Sequence, residues 1–473
     1  MADNDIALMA HLMRRAGFGA TRDQLEAYCA KGYDAMVQEL LHPEVQPDIE
    51  YDLMCRYLPE SYMGNTGLND PNTQGWFHRM VNTKRPLEEK IALFWHSILC
   101  TGCSKVDHGY QVELQIDMFR RLAFGNFKTL LLEVSKDPAM IYFLDNCESH
   151  KDAVNENYGR ELLELFSVGQ GMDGQPNYTE DDVKACARAF TGWTIANNPP
   201  SYPYGRSVYE FRYDPTDHDD SDKTFLGETG PWTGEDVIDI IVRQPSCARF
   251  IARHLYNFFV ADEVPVPSWQ ITPPKDPEAI KTLEKALIDN EYEMRPVFEV
   301  LFNSDFFKNS RYAKIKSPAE VVVGTIRLVE DFTEIKPGTL GLMRQSRYMG
   351  QDLHNPPSVE GWHTGKEWID SGTLIERINF VADQVGNTDL PGIRAIIDRL
   401  AAMGSFTPEQ FVDGCLDLIG PVQATEKTKN QLVSYVGEVE NLRGDTEDTK
   451  TEFSNKVAQM LQLISSTAEY QFG

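Results

Sequence analysis

Apolar positions along the chain recur at the three-to-four-residue spacing of helices, and strict alternation is rare. Helix starts are punctuated clearly. Thr21-Arg22-Asp23-Gln24 forms a capping box, and Lys31-Gly32 closes the helix it opens. Pro86 opens an apolar run to Leu99, and Pro245 opens another to Val260. Asp137-Pro138 places a cap before a proline at the first helical position. Thr179 precedes a helix with Asp181 and Asp182 in its first turn, where the helix dipole favours anions. Thr233 caps the run to Val242, while Ser317-Pro318-Ala319-Glu320 and Thr407-Pro408-Glu409-Gln410 combine cap, proline and reciprocating side chain. These signals have no fixed period, so a solenoid of repeats is not expected.

Strand signals are few. Val208-Tyr209-Glu210-Phe211-Arg212-Tyr213 alternates weakly and is expected to pair with Lys223-Thr224-Phe225-Leu226 across an Asp-rich turn. Asn197 to Arg206 and Asp262 to Asp276 are proline-rich and read as long loops, which are often functional. From about Thr425 the chain reads as two polar helices separated by the turn Gly444-Asp445-Thr446-Glu447-Asp448. The expected fold is mainly α: a large irregular helical domain over residues 1–400, a small β-hairpin insertion at about 208–227, and a helical C-terminal cap over 401–473.

The most informative helix is Asn155 to Phe166. At ~100° per residue, Asn157, Arg160, Glu161 and Glu164 share one narrow stripe, and Tyr158, Leu162, Leu165 and Phe166 share the opposite side. The stripe is either a solvated face with an Arg–Glu pair or a polar constellation lining a cleft. Glu161 and Glu164, at i,i+3, could share a divalent cation. A di-iron bundle would require a Glu-x-x-His that is missing here, and Arg160 beside the pair favours ion pairing.

Composition narrows the function classes. The 473 residues can bury a large core. A net charge of −27 argues against binding nucleic acid or an anionic membrane through a basic surface. No apolar run approaches the ~20 residues of a membrane span. The acidic, polar start Met1 to Asp5 lacks the pattern of a secretory signal, so the chain is expected in the cytoplasm, or exported if a leader was removed. The cysteines, Cys29 to Cys415, are scattered and fit reduced thiols.

Other candidate chemistry is dispersed. Asp214 to Asp222 crowds aspartates around His218-Asp219; it reads as a solvated acidic turn or as a place where His218 acts as base or ligand. His96, Cys100, Cys103 and His108 have residue types that suit zinc, although a lone Cys-x-x-Cys is a weak signal and His96 follows Phe94-Trp95 in an apolar helix. Trp193, Trp362 and Trp368 lie near glycines, where tryptophan either pins a loop to the core or stacks on a ligand. No Gly-x-Ser-x-Gly elbow, phosphate-binding loop, dinucleotide fingerprint or His-Glu-x-x-His occurs.

Several segments, in order, resemble the bacterial family known as domain of unknown function 1800. They include His11-Leu12-Met13-Arg14-Arg15-Ala16-Gly17-Phe18-Gly19, Phe94-Trp95-His96, the Asn155–Phe166 helix and Ala189-Phe190-Thr191-Gly192-Trp193-Thr194. His218-Asp219 with Lys223 to Gly227 follows, then Ile315-Lys316-Ser317-Pro318 and Met349-Gly350-Gln351 leading to Gly361-Trp362. Trp368-Ile369, Arg377-Ile378-Asn379-Phe380, and Ser465-Ser466 with Glu469-Tyr470 complete the set. The resemblance implies a mainly helical fold and no secure activity; many members are exported and accompany a sulfatase-like protein, which is the partner it implies here. Ser221 stands where the family tends to have glycine, and Cys100 and Cys103 where no cysteine is expected.

Two readings of function follow. The favoured one is a binding or assembly protein that recruits a partner protein or a glycan through Asn157, Trp193, Trp362 and Trp368. The alternative is a metal-assisted hydrolase with catalytic His218, Asp219, Arg160, Glu161 and Glu164, and a divalent metal held by His96, Glu161, Glu164 and His218.

Overall fold

The computed structural model describes residues 3–49, 70–106, 108–172, 174–197, 208–334, 336, 338–362, 364–437 and 447–473. Helix accounts for 63 % of the described residues, about twice the share of a typical soluble domain. Strand among the described residues is confined to three two-stranded antiparallel pairings. The protein is mainly α, as its periodicity implies. No described helix is long and apolar enough to cross a membrane.

Local chemistry sets the helix ends. Thr179 Oγ1 accepts from Asp182 N–H at 3.2 Å, and Asp182 Oδ2 accepts from Thr179 N–H at 2.8 Å, starting the helix Glu180–Ala189. Ser317 and Glu320 cap the helix Pro318–Val329 in the same way. The helices Pro86–Ile98, Pro245–Phe259 and Pro318–Val329 occupy the centre, each with a long run of buried residues. Phe94 illustrates the packing: its ring meets Trp95, Phe258 and Phe259 at centroid distances of 4.6, 5.2 and 5.5 Å. Each such buried aromatic contributes roughly 1.5–3 kcal/mol.

The C-terminal residues share this core. The helix Glu447–Ser465 buries Phe453, Val457, Leu461 and Ile464 along one face, packing on Ser371–Val385 and Pro408–Leu418. The chain end then crosses the body. Lys316 N–H donates to Gln471 O at 2.9 Å, Gly473 N–H to Lys314 O at 2.8 Å, and Tyr312 N–H to Gly473 O at 3.2 Å. Of the acidic turn expected at Gly444 to Asp448, residues 444–446 lie outside the described residues.

The expected hairpin is corrected. Tyr209–Tyr213 pairs with Trp193–Asn197, and Lys223–Phe225 pairs with Glu228–Gly230. Two local preferences override the longer connection. Leu226 and Gly227 adopt positive φ values of 46° and 85°, the geometry of a tight two-residue hairpin turn. Phe211 packs on buried Trp193 at 5.2 Å, which selects the Trp193 strand as its partner. Beyond Asn197, the loop expected to run to Arg206 lies outside the described residues. The Asp262–Asp276 segment contains a short 3-10 helix, Val266–Gln270, pinned by the Trp269 indole N–H donating to Val264 O at 2.7 Å.

Candidate functional site

The polar stripe is seated by close helix packing. A Cβ on Gly159 would lie 2.9 Å from Ala187 N, so glycine lets the helix Asn157–Glu164 cross the helix Glu180–Ala189 backbone to backbone. Tyr158 is buried and donates to Ser135 Oγ at 2.6 Å. The stripe then divides by role. Asn157 Nδ2 donates to Leu144 O at 3.1 Å and ties the helix to the preceding segment. Arg160 pairs with carboxylates outside the stripe: both Glu180 oxygens at 2.8 Å and Glu156 at 3.2 Å. Its side chain remains 34 % exposed. Glu164 accepts from Gln170 Nε2 and from the Tyr178 hydroxyl.

The Glu161 carboxylate has no hydrogen-bond partner among the described residues. Burial pushes its carboxyl up to about 7, with Glu164 and Glu360 adding repulsion and Arg160 opposing it. Two clefts share the ridge Val266-Pro267. One holds Glu164 and Gln170; the other holds His254, Asn257, Glu360 and Thr364. The His254 imidazole is pushed down to about 3 by burial and by Arg253, and its Nε2 is buried without a hydrogen-bond partner among the described residues.

His218 turns away from these carboxylates. It is buried, its Nδ1 lies 2.9 Å from Thr191 O, and its Nε2 lies 3.9 Å from Asp220. A carbonyl can only accept, so Nδ1 carries the proton. Asp219 accepts from Arg188 Nε at 2.6 Å. Burial alone would raise its carboxyl, but Arg188 and Ser221 hold it well below the carboxylate range. Gly192, at φ 80°, brings the chain so close that a Cβ would meet Asp214 O at 2.5 Å. The loop is a clasp on the Thr191 turn.

His96 is enclosed in the core. Its Nε2 accepts from His354 N–H at 3.1 Å, and burial pushes its imidazole down to about 3. Trp76 and Trp362 surround it at 5.5 and 5.3 Å. The Cys100 thiol donates to Val359 O at 3.4 Å and is pushed up to about 12 by burial. His108 Nδ1 instead accepts from Gln111 N–H at 3.2 Å as a helix cap. Among the described residues, no group of three or more His, Cys, Asp or Glu is arranged to hold a metal ion. The proposed ligands His96, Glu161, Glu164 and His218 are therefore not one centre, because tertiary packing spends both histidines on backbone contacts. Trp193, Trp362 and Trp368 are only 2, 7 and 5 % exposed, so they pin their loops to the core and offer no stacking surface.

A different site emerges where the chain termini meet. The helix Asp3–Arg15 ends in Arg14 and Arg15, beside Lys316, Glu320, Tyr312 and Tyr470. Together with apolar walls they line a cavity of about 80 Å³. Glu320 is the focus of the buried charges. It accepts from Arg15 Nη1 at 3.0 Å, from Lys90 Nζ, and from Ser317 N–H at 2.7 Å. Burial alone would raise its carboxyl; Lys90 and Arg15 outweigh that and hold it far down.

Three further cations have no ion-pair partner among the described residues. Arg14 Nη1 donates to Gly420 O at 3.3 Å, and its guanidinium lies 5.1 Å from the Tyr312 ring centroid. Arg377 Nη1 donates to Lys316 O at 2.9 Å. Lys316 Nζ donates to Tyr470 O at 2.6 Å and sits 4.0 Å from that ring's centroid. The Nε and Nη2 atoms of both Arg14 and Arg377 are buried without an acceptor. Such orphaned charge-bearing donors are rare unless something fills the site. No sequence pattern assembles this cavity, although His11–Gly19, Ile315–Pro318, Arg377–Phe380 and Glu469–Tyr470 all belong to the segments that carry the family resemblance. Basic residues clustered in those segments of an acidic chain are the available signal.

A family model described as a protein of unknown function, DUF1800, matches residues 11–472, and the chain belongs to that family. No curated protein and no solved structure matches it.

Proposed function

We propose that this DUF1800 protein is a binding protein whose basic cavity takes the carboxylate of a small organic acid. The observation that carries the reading is Arg14, which lines the cavity with two guanidinium donors unpartnered among the described residues, while the cavity residue Glu320 is already engaged by Arg15 and Lys90. A guanidinium offers a planar fork that matches a carboxylate, and a charge-assisted pair is about twice as strong as a neutral hydrogen bond. The apolar walls, including Phe18, Leu25 and Leu328, suit the carbon skeleton of the acid. This keeps the binding class and changes the recognition chemistry, since the tryptophans expected to meet a glycan are in the core. The hydrolase alternative loses support with its metal centre.

Isothermal titration with a panel of mono- and dicarboxylic acids tests the reading. At least one acid should bind to the wild type and raise its melting temperature by mass action. Arg14→Gln should weaken that acid tenfold or more, which is about 1.4 kcal/mol. Absence of binding across the panel at millimolar concentration, with no melting shift, would remove the proposal.

A further inference from the structure

Lys316 differs from the buried lysines nearby. Lys90 is paired with Glu320, and Lys314 with Asp262 at 2.8 Å. Among the described residues Lys316 has no ion-pair partner; its Nζ donates to the Tyr470 carbonyl and lies against the Tyr470 ring. It lines the cavity beside Arg14, with Arg377 bonded to its own carbonyl oxygen. It also immediately precedes the capped start of the helix Pro318–Val329, whose positive dipole end disfavours an ammonium.

We propose that Lys316 is an amine nucleophile that forms a Schiff base with a small 2-oxo acid whose carboxylate is held by Arg14. This rests on the carboxylate-binding reading above. A 2-oxo acid carries its carboxylate and its electrophilic carbonyl on adjacent carbons, so it needs an anion-binding group and an amine side by side. The cavity supplies both. Lysine becomes a nucleophile when it is desolvated beside another cation. Burial pushes Lys316 down to about 7, with Arg14 and Arg377 adding to the effect and Glu320 opposing it. Desolvation and the neighbouring cations therefore favour the free amine.

The chemistry balances without a co-reactant. The ammonium releases its proton to water. The Nζ lone pair then attacks the carbonyl carbon, and one Nζ proton moves through water to the carbonyl oxygen to give a carbinolamine. Loss of that hydroxyl as water, with the remaining Nζ proton supplying its second hydrogen, leaves the C=N bond. Lys90 is already engaged by Glu320 and Arg14 O, so it does not compete.

The test is reductive trapping on the full chain. Pyruvate and borohydride should place the reduced adduct on the peptide containing Lys316, identified by mass spectrometry. Excess acetate, which has the carboxylate without the carbonyl, should suppress labelling several-fold, and acetone should label poorly. Lys316→Arg keeps the charge and should abolish the adduct while acetate binding, read by calorimetry, persists. If acetate binds the wild type but no adduct forms at Lys316, or if labelling falls on other lysines and ignores acetate, the nucleophile assignment is overturned while the carboxylate site stands. If neither binding nor labelling occurs, both fall together. Mapping on the wild type keeps the assignment testable should Lys316→Arg fold poorly.

Discussion

Replacing Glu320 with glutamine should be among the most damaging isosteric changes in this protein. The Glu320 carboxylate neutralises Arg15 and Lys90, whose side chains are 1 % and 0 % exposed, and it also caps its own helix through Ser317 N–H. Glutamine preserves shape and one acceptor oxygen but removes the charge. Two desolvated cations then face each other without compensation, and breaking a buried pair in this way costs roughly 3–5 kcal/mol. Some of that falls away because Arg15 keeps its bonds to Phe258 O and Phe259 O, so a loss near 3 kcal/mol is expected. The assay is the urea midpoint followed by far-ultraviolet circular dichroism, with the slope checked for a single transition. Adding Lys90→Met to Glu320→Gln should recover stability, because one stranded charge is replaced by an apolar side chain. A Glu320→Gln loss below about 0.5 kcal/mol, or a double mutant less stable than the single, would refute the reasoning. The pH dependence has a defined sign. The folded-state pKa of Glu320 is depressed, so its stabilisation is present above the unfolded carboxylate value and is lost as pH falls towards the folded one.

Arg160→Met should cost under about 1 kcal/mol, because its bidentate partner Glu180 is exposed and the pair is solvent-screened; a loss near 3 kcal/mol in thermal denaturation would show that the stripe is buried after all. Glu161→Gln should stabilise the protein at pH 8 by about 1 kcal/mol after screening and do little at pH 4. Its folded-state pKa is raised to about 7, so the folded state binds the extra proton between about 4.5 and 7 and the charged form is penalised above that window. Equal melting shifts at the two pH values would contradict the desolvation account.

The helix ends were legible because capping is local: Thr179 meets Asp182 and Ser317 meets Glu320 within a single turn, whatever the rest of the chain does. The mainly α class followed from the same short-range periodicity. Partner choice was not local. The sequence marked Arg160 as ion-paired, but only packing of the Glu180–Ala189 helix brought Glu180 to it. Tyr209–Tyr213 was readable as a strand, whereas its pairing was decided by Phe211 against Trp193 and by the tight Leu226-Gly227 turn of the next hairpin. His218 and His96 drew attention as titratable groups, and tertiary structure committed them to Thr191 O and His354 N–H. The basic cavity depended most on the fold. Arg14, Lys316 and Tyr470 are far apart in the chain, and no periodicity encodes their meeting. It arises because the last residues bond back to Tyr312, Lys314 and Lys316 and carry Tyr470 to the end of the first helix.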